Sequence, residues 1–369
     1  MPHIVILGGT GRIGRAVAEI FYEKRKDCVL TLVGRNAKRG PEVVRQLGDR
    51  AHFFAADFRD RSRLLSVLSG ADLVIHAAGP FQDTQPLVLE AAIEAGVSYL
   101  DIADDLSFAY KARALSLTAQ QKGISAIVNG GVFPGLSNIM AGCLAEDVRQ
   151  NAKQGEESSP VTHLRFDYFI AGSGGAGPAV MASTFLLGTR PATEYVDGKI
   201  VERTAFTGGE RIAFLPPIGT RKVYYLELPE VSSSFETYHI PNIASRFGTS
   251  PGIWNHLTRL CCLLFRPWLG KRERVASFVR LMLPLVRLLD RVVGAAIGIE
   301  VEAVYATGEK KRLRYAHDNT IVSIASAVLA QADEILCGRV RHGVFWPEEA
   351  ISNKKEHLQS LSGGIFRWE

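Results

Sequence analysis

Cysteine is scarce in this chain. Five occur among 369 residues (Cys28, Cys143, Cys261, Cys262 and Cys337), with no CxxC pair and no zinc-ligand spacing. An odd, scattered set excludes a disulfide framework, offers no metal site and suits a reducing compartment such as the cytoplasm. A strong charge of one sign is missing too. Lys+Arg 43 against Asp+Glu 38 leaves a net charge of +5, too mild to argue for nucleic acid as a partner. There is no internal repeat and no low-complexity tract, which excludes solenoids and long disordered tails.

Long hydrophobic runs are also wanting. Residues 123–145 and 168–189 contain no Asp, Glu, Lys or Arg. Asn129, Gly130, Gly131 and Pro134 break the first of them, and Gly172 to Pro178 the second. A spanning helix takes about 20 predominantly apolar residues, and such breaks would strand backbone polar groups in lipid. Both stretches therefore read as strand, loop and helix. Met1-Pro2-His3 runs directly into a strand-like segment, so no signal peptide is expected.

What the chain does have is alternation. Apolar runs of strand length come first: His3 to Leu7, Val29 to Val33, His52 to Ala56, Leu73 to Ala77, Tyr99 to Ile102 and Ile124 to Val128. Between them lie helical stretches at Ile13 to Lys24, Pro41 to Gln46, Ser62 to Leu68, Pro86 to Ala95 and Tyr110 to Gln121. This order predicts parallel βαβ units, and unbroken apolar strands predict a sheet covered on both faces. The fold class is α/β, a doubly wound parallel sheet. Asn151 to Pro160 reads as a polar surface loop. Strands at His163 to Ile170, Thr193 to Val196, Ile200 to Arg203 and Val223 to Leu228 then predict an α+β domain, its sheet largely antiparallel. Asp197-Gly198 marks a hairpin turn. A basic helical segment fills 254–294, followed by a strand at Glu300 to Thr307 and a helix at Thr320 to Leu336.

Residues 4–15 read IVILGGTGRIGR. A strand ends at Leu7, a helix begins near Arg12, and Gly8, Gly11 and Gly14 sit between and within them at a spacing of three. Such glycines give a tight turn, a bare backbone for pyrophosphate and close helix-on-strand packing, with the helix N-terminus facing the anion. Thr10, Arg12 and Ile13 complete the candidate phosphate loop. After the second strand (Val33-Gly34-Arg35-Asn36) no acid stands ready to accept the ribose 2′-hydroxyl of NAD. Arg35 instead suits a 2′-phosphate, with Asn36 beside it, so NADP is expected ahead of NAD. Asp57, after the third strand, is a candidate for an adenine-edge contact.

The fourth strand leads through LVIHAAGPFQ at 73–82. Ala77, Ala78 and Gly79 are small enough to admit a cofactor at the sheet's carboxyl edge, and Pro80-Phe81 would set an aromatic face near the reacting carbon. His76 reads as a core residue. The fifth strand ends in Asp101, Asp104 and Asp105. Asp104 and Asp105 are the candidate catalytic carboxylates, able to orient a substrate amine or carry protons. They are equally able to cap the next helix. Asn129 to Asn138 (NGGVFPGLSN) opens a further helix near Ser137, a second candidate anion or substrate site.

These stretches resemble the saccharopine dehydrogenase (saccharopine reductase-like) family. The resemblance rests on GGTGRIGR at 8–15, HAAGPF at 76–81, EAAIEAGVSYLD at 90–101, FPGLSN at 133–138 and GRVRHGVFWPEEA at 338–350. It implies a Rossmann NADP-binding domain at 1–145 and a substrate and dimerisation domain at 146–315. A carboxy-terminal helix and tail at 316–369 would return to the first domain. It also implies a homodimeric NADP-dependent oxidoreductase that moves a hydride between nicotinamide and a C=N, C=C or C=O group. Val132-Phe133 stand where relatives acting on amino-dicarboxylates tend to carry an acid before Pro-Gly, and no basic pair for two carboxylates is evident. A small or apolar substrate is therefore expected rather than saccharopine.

Other readings stand beside this one. A short-chain dehydrogenase needs Tyr and Lys four apart on one helical face. Tyr22/Lys26 falls at a helix end and Tyr195/Lys199 brackets the hairpin turn, so both read as chance. A catalytically inactive dinucleotide-binding sensor or scaffold would keep the glycine loop without room for substrate. Within 256–291, eight basic residues (Arg259, Arg266, Lys271, Arg272, Arg274, Arg280, Arg287 and Arg291) stand against Glu273 and Asp290, eight less two giving +6. On a helix over 273–291, Glu273, Ser277, Arg280, Pro284, Arg287 and Arg291 share a narrow face. The wide arc opposite, from Val275 to Leu289, is apolar. That arc either packs in the second domain or a dimer interface, or docks on a membrane surface with arginines at anionic headgroups.

Overall fold

The computed structural model describes residues 1–153, 159–175, 177–269 and 272–369, with side chains described except at 147–153, 267, 269, 272 and 289. The elements of the first 136 residues are β1 (His3–Leu7), α1 (Arg12–Lys24), β2 (Val29–Gly34), α2 (Arg39–Leu47), β3 (Ala51–Ala55), α3 (Arg61–Leu68), β4 (Leu73–His76), α4 (Leu87–Ala95), β5 (Ser98–Asp101), α5 (Leu106–Arg113), α6 (Ser116–Gln121) and β6 (Ser125–Ile127). Then come α7 (Leu136–Lys153), β7 (Val161–Ala171), α8 (Pro178–Gly188), β8 (Ala192–Val196), β9 (Lys199–Arg203), β10 (Glu210–Ala213), β11 (Thr220–Tyr225), α9 (Pro229–Tyr238) and β12 (Asn242–Ser250). The chain continues through α10 (Ile253–Leu264), α11 (Arg266–Leu269), α12 (Arg272–Val293), β13 (Ile297–Tyr305), β14 (Lys310–His317) and α13 (Thr320–Leu336). It ends with β15 (Gly343–Phe345), α14 (Pro347–Ala350), α15 (Lys354–Ser360) and β16 (Ile365–Trp368).

Two compact units form, one from residues 1–136 and 324–353, the other from 137–323 and 354–369. In the first, seven parallel strands take the order β15-β6-β5-β4-β1-β2-β3. The order reverses direction between β1 and β4, the switch point of a doubly wound sheet. The expected α/β fold is present. Ile4 to Leu7, Leu30, Leu32 and Leu73 to Ile75 are buried because helices cover both faces. The single helix expected at Tyr110 to Gln121 is two. Asp105 caps α5 at its start by accepting from the Phe108 N–H, and the chain turns at Ala114-Leu115.

The second unit carries a nine-stranded sheet, ordered β10-β11-β12-β7-β13-β14-β16, with the β8–β9 hairpin joined to β12 through β8. Its ladders are antiparallel except for the long β7–β12 pair, which is parallel. Strand, loop and helix follow in both charge-free stretches, as β6 to α7 and β7 to α8. The carboxy-terminal segment divides. β15 extends the first sheet beside β6, whereas β16 pairs with β14 in the second. The loop expected at Asn151 to Pro160 is helical as far as Lys153, and 154–158 lie outside the described residues. So do Lys271 and the side chains of Arg272 and Leu289. Among the described residues, no helix is long and apolar enough to cross a membrane.

Candidate dinucleotide and substrate site

The β1–α1 turn is built almost entirely from backbone. Gly8 has φ of +80°, and a Cβ there would lie 2.8 Å from the Ala77 carbonyl oxygen at the end of β4. The Gly11 N–H donates to the Gly8 carbonyl at 2.7 Å, closing the turn. A Cβ on Gly14 would stand 2.3 Å from that same carbonyl, so only glycine lets α1 lie this close to the loop. Gly11 occupies the cap position of α1 and brings no capping side chain. A loop with this backbone at a helix N-terminus fits a pyrophosphate.

The second strand ends beside it. Thr10, Arg35, Asn36, Ala37 and Lys38 line an open pocket, and the Asn36 side chain accepts from the N–H groups of Lys38 and Arg39, both at 3.0 Å. That turn starts α2 and leaves Arg35 exposed. Asp57 is bound by Arg59, whose guanidinium, aided by Arg35, holds its carboxyl down at about 2.

Further along the sheet's carboxyl edge, Ala77, Ala78, Gly79 and Pro80 are half-buried. Phe81 is buried edge-on against His76 and Phe108, with ring centroids 4.9 and 5.1 Å apart. His76 is enclosed by these rings, and desolvation lowers its pKa to about 3. Its Nδ1 lies 3.2 Å from the Tyr99 oxygen, and Tyr99 donates to Asp101 Oδ2 at 2.9 Å. Asp101 Oδ1 accepts from the N–H groups of Ala103 and Asn129 at 3.0 and 2.8 Å. Burial outweighs these bonds and pushes its carboxyl up to about 6. Asp101 therefore ties the ends of β5 and β6 together.

Asp104 and Asp105 part company. Asp105 is buried as the α5 cap, its Oδ1 2.8 Å from the Phe108 N–H. Asp104 is half-buried and accepts from buried Gln82 at 3.0 Å, which joins the loops after β4 and β5. In the second unit, Ser137 at the head of α7 and Tyr168 of β7 both donate to Glu230, at 2.9 and 2.8 Å. Sequence reasoning singled out neither Glu230 nor Tyr168. The Tyr-Lys pairs have other surroundings. Tyr22 donates to Asp49 and lies under Arg50, while Tyr195 and Lys199 belong to the two strands of a hairpin.

Residues 4–127 match a model of the saccharopine dehydrogenase NADP binding domain. The first unit carries a domain of that family. The match supports a nicotinamide-dinucleotide cofactor for this domain. The whole chain has the fold of saccharopine dehydrogenase (L-Glu forming) from Saccharomyces cerevisiae. The TM-score is 0.72 at 14% identity, covering 100% of this chain and 99% of that one. Two curated relatives match over shorter stretches. A lipid droplet localized protein of Caenorhabditis elegans is 28% identical over 131 residues, 33% of this chain and 31% of that protein. Carboxyaminopropylagmatine dehydrogenase of Synechocystis is 28% identical over 145 residues, 37% and 36% of the two chains. The matched stretches thus span about a third of the curated relatives' length.

Proposed function

We propose that this protein is an NADP-dependent oxidoreductase acting on a C=N, C=C or C=O bond of a small or apolar substrate. The observation that carries the reading is Arg35 at an open pocket beside Thr10, next to a glycine turn that no larger residue could form. When bound, the nicotinamide supplies or accepts the hydride. Gly8, Gly11 and Gly14 hold the pyrophosphate, Thr10 and Asn36 flank the ribose, and Arg35 pairs with the 2′-phosphate. Ala77, Ala78 and Gly79 leave room for the nicotinamide end.

Reduction of a polar double bond also requires a proton. Asp104, oriented by Gln82, is the group we assign to carry it, at the mouth formed by 78–82 and 101–105. Asp101 is a positioning residue that fixes the backbone of that mouth through Ala103 and Asn129. Val132-Phe133, standing where relatives acting on amino-dicarboxylates tend to carry an acid, favour an apolar substrate over an amino-dicarboxylate.

A screen of NADPH oxidation against imines, enoyl compounds and ketones tests this. Turnover with one class, absent with NADH, is the expected result. Saccharopine turned over at ordinary enzyme rates would overturn the substrate assignment. Tight NADPH binding with no turnover across the screen would favour the sensor reading. Homodimerisation and cytoplasmic residence go with the enzyme reading, and sedimentation of the purified chain checks the first.

A further inference from the structure

The basic segment of the second unit keeps an apolar stripe in solvent. On α10, Ile253, Leu257, Leu260 and Leu264 are all exposed, while Asn255, Thr258 and Cys262 are buried. On α12, Leu281, Leu285, Leu288 and Val292 are exposed, Leu281 at 77% and Val292 at 82%, while Val275, Val279 and Val286 are buried. The outward positions step by four, three and four residues on both helices. At about 3.6 residues per turn this returns each set to one side. The wide apolar arc expected on α12 is therefore split. One half packs with Phe185 and Met181 of α8 in a core, and the other half has no cover among the described residues.

The charges around the stripe say what could cover it. Arg274, Arg280, Arg287 and Arg291 are exposed, as is Arg266 on α11. None of these five has an ion-pair partner among the described residues. Of the two acids, Asp290 is turned inward, accepting from the Ser173 N–H and hydroxyl at 2.8 and 2.5 Å. Arg280, Arg287 and Arg291 lie roughly a quarter-turn from the leucine stripe, so they flank it without interrupting it. A second copy of the chain would set this cationic surplus against itself, because an isologous interface pairs a patch with its own copy. An anionic bilayer satisfies both features at once, taking apolar side chains at the acyl boundary and guanidinium groups at the phosphates.

We infer that α10 and α12 form a docking surface for an anionic phospholipid membrane. The inference is independent of the catalytic reading. The inner faces of the same helices, through Trp254, Thr258 and Val286, line a largely apolar pocket with Met181 and Phe185.

Flotation of the full chain with vesicles tests it, using phosphatidylcholine alone and phosphatidylcholine mixed with phosphatidylglycerol. The protein should rise with the mixed vesicles at low salt and be released as salt increases. Each arginine neutralised among 280, 287 and 291 should weaken partition about fivefold. The double variant Leu281→Glu with Leu288→Glu should stay at the bottom while keeping the wild-type pattern of limited proteolysis, which shows the second unit to be folded. Equal flotation on both vesicle types, or of wild type and variant alike, would overturn the proposal. So would wild type that fails to float. Sedimentation of wild type as a dimer and of the variant as a monomer, with no flotation of either, would assign the face to a second copy instead.

Discussion

The two sheets hold their polar groups in opposite ways. In the first unit the strands are apolar, and the polar work sits at one edge in backbone atoms: the Gly8 carbonyl, the Gly11 N–H, and the N–H groups of Ala103 and Asn129 around Asp101. In the second unit a row of side chains crosses the sheet, with Tyr225, Arg246, Asp167, Glu300, Arg314 and Arg367 in register on neighbouring strands. Arg165 donates to Asp167 at 2.7 Å, and Arg246 lies over the Tyr225 ring. Burial still pushes the Asp167 carboxyl up to about 7, Glu300 adding to the effect against the two arginines. The opposite face, with Phe166, Tyr168, Val301 and Leu313, is apolar and buried. Backbone donors cannot be mutated away and have no rotamers to lose. That suits a site whose ligand must find its partners already in place. A side-chain row depends on every member being present, which suits a scaffold held in register.

Substitutions can break or sharpen this contrast. The largest effect is expected at Asp104, a side-chain group in a backbone-built mouth. Asp104→Asn should lower kcat on the order of 100-fold or more with NADPH affinity unchanged. If the two fall together, its role is in binding. Gly14→Val should cost on the order of 100-fold in NADPH affinity by forcing α1 off the turn, read by fluorescence titration, with the second unit still folded by limited proteolysis. Arg35→Ala should weaken NADPH binding by about 1.5–3 kcal/mol, the range for a hydrogen bond to a charged group, and leave NADH unaffected. Equal losses by calorimetry would remove the 2′-phosphate assignment.

The second unit should respond in stability and not in binding. Asp167→Ala takes away the acceptor that Arg165 donates to at 2.7 Å, leaving it Glu210, Glu300 and Glu302 at 3.4, 3.9 and 3.8 Å, and should cost about 1–3 kcal/mol in urea unfolding, with NADPH affinity retained. Asp101→Asn keeps an oxygen for the Ala103 and Asn129 N–H groups and should cost much less near neutral pH. Both carboxyls have folded pKa values above the ordinary 3.8. The fold is therefore favoured when they are protonated, and stability declines as pH rises from about 4 towards 6 and 7. Asp101→Asn should remove its share of that slope, about 2 kcal/mol between pH 4 and 6. A slope unchanged in the variant would place the titration elsewhere. The smallest effect is Asp105→Ala, a lost helix cap worth about 1 kcal/mol, with turnover intact.

The first sheet was legible because its strands are buried on both faces. Runs such as His3 to Leu7 and Leu73 to Ala77 need no partner to be recognised, and the glycine spacing marks its own turn. What escaped was lateral. Nothing in the chain places Gln82 against Asp104, or Tyr99 between His76 and Asp101, until β4 and β5 lie side by side. In the second unit the period of two was on view in Arg165-x-Asp167, Glu300-x-Glu302 and Arg312-x-Arg314. Reading it as one row needs the registers of β12 and β14, strands that half-polar sequences conceal. Glu230 was hidden for a similar reason. Its two donors stand 93 and 62 residues away.

Strand β15 has a bearing on how the protein is made. The outer edge of β6 is completed by Gly343–Phe345, so during synthesis the first unit waits, one strand short, while all of the second unit but residues 354–369 emerges. At about 5–20 residues per second this is a delay of tens of seconds, with an unpaired strand edge open to pairing with other nascent chains. A ribosome that stops anywhere before residue 343 leaves a glycine turn ready to bind and a sheet that has never been closed.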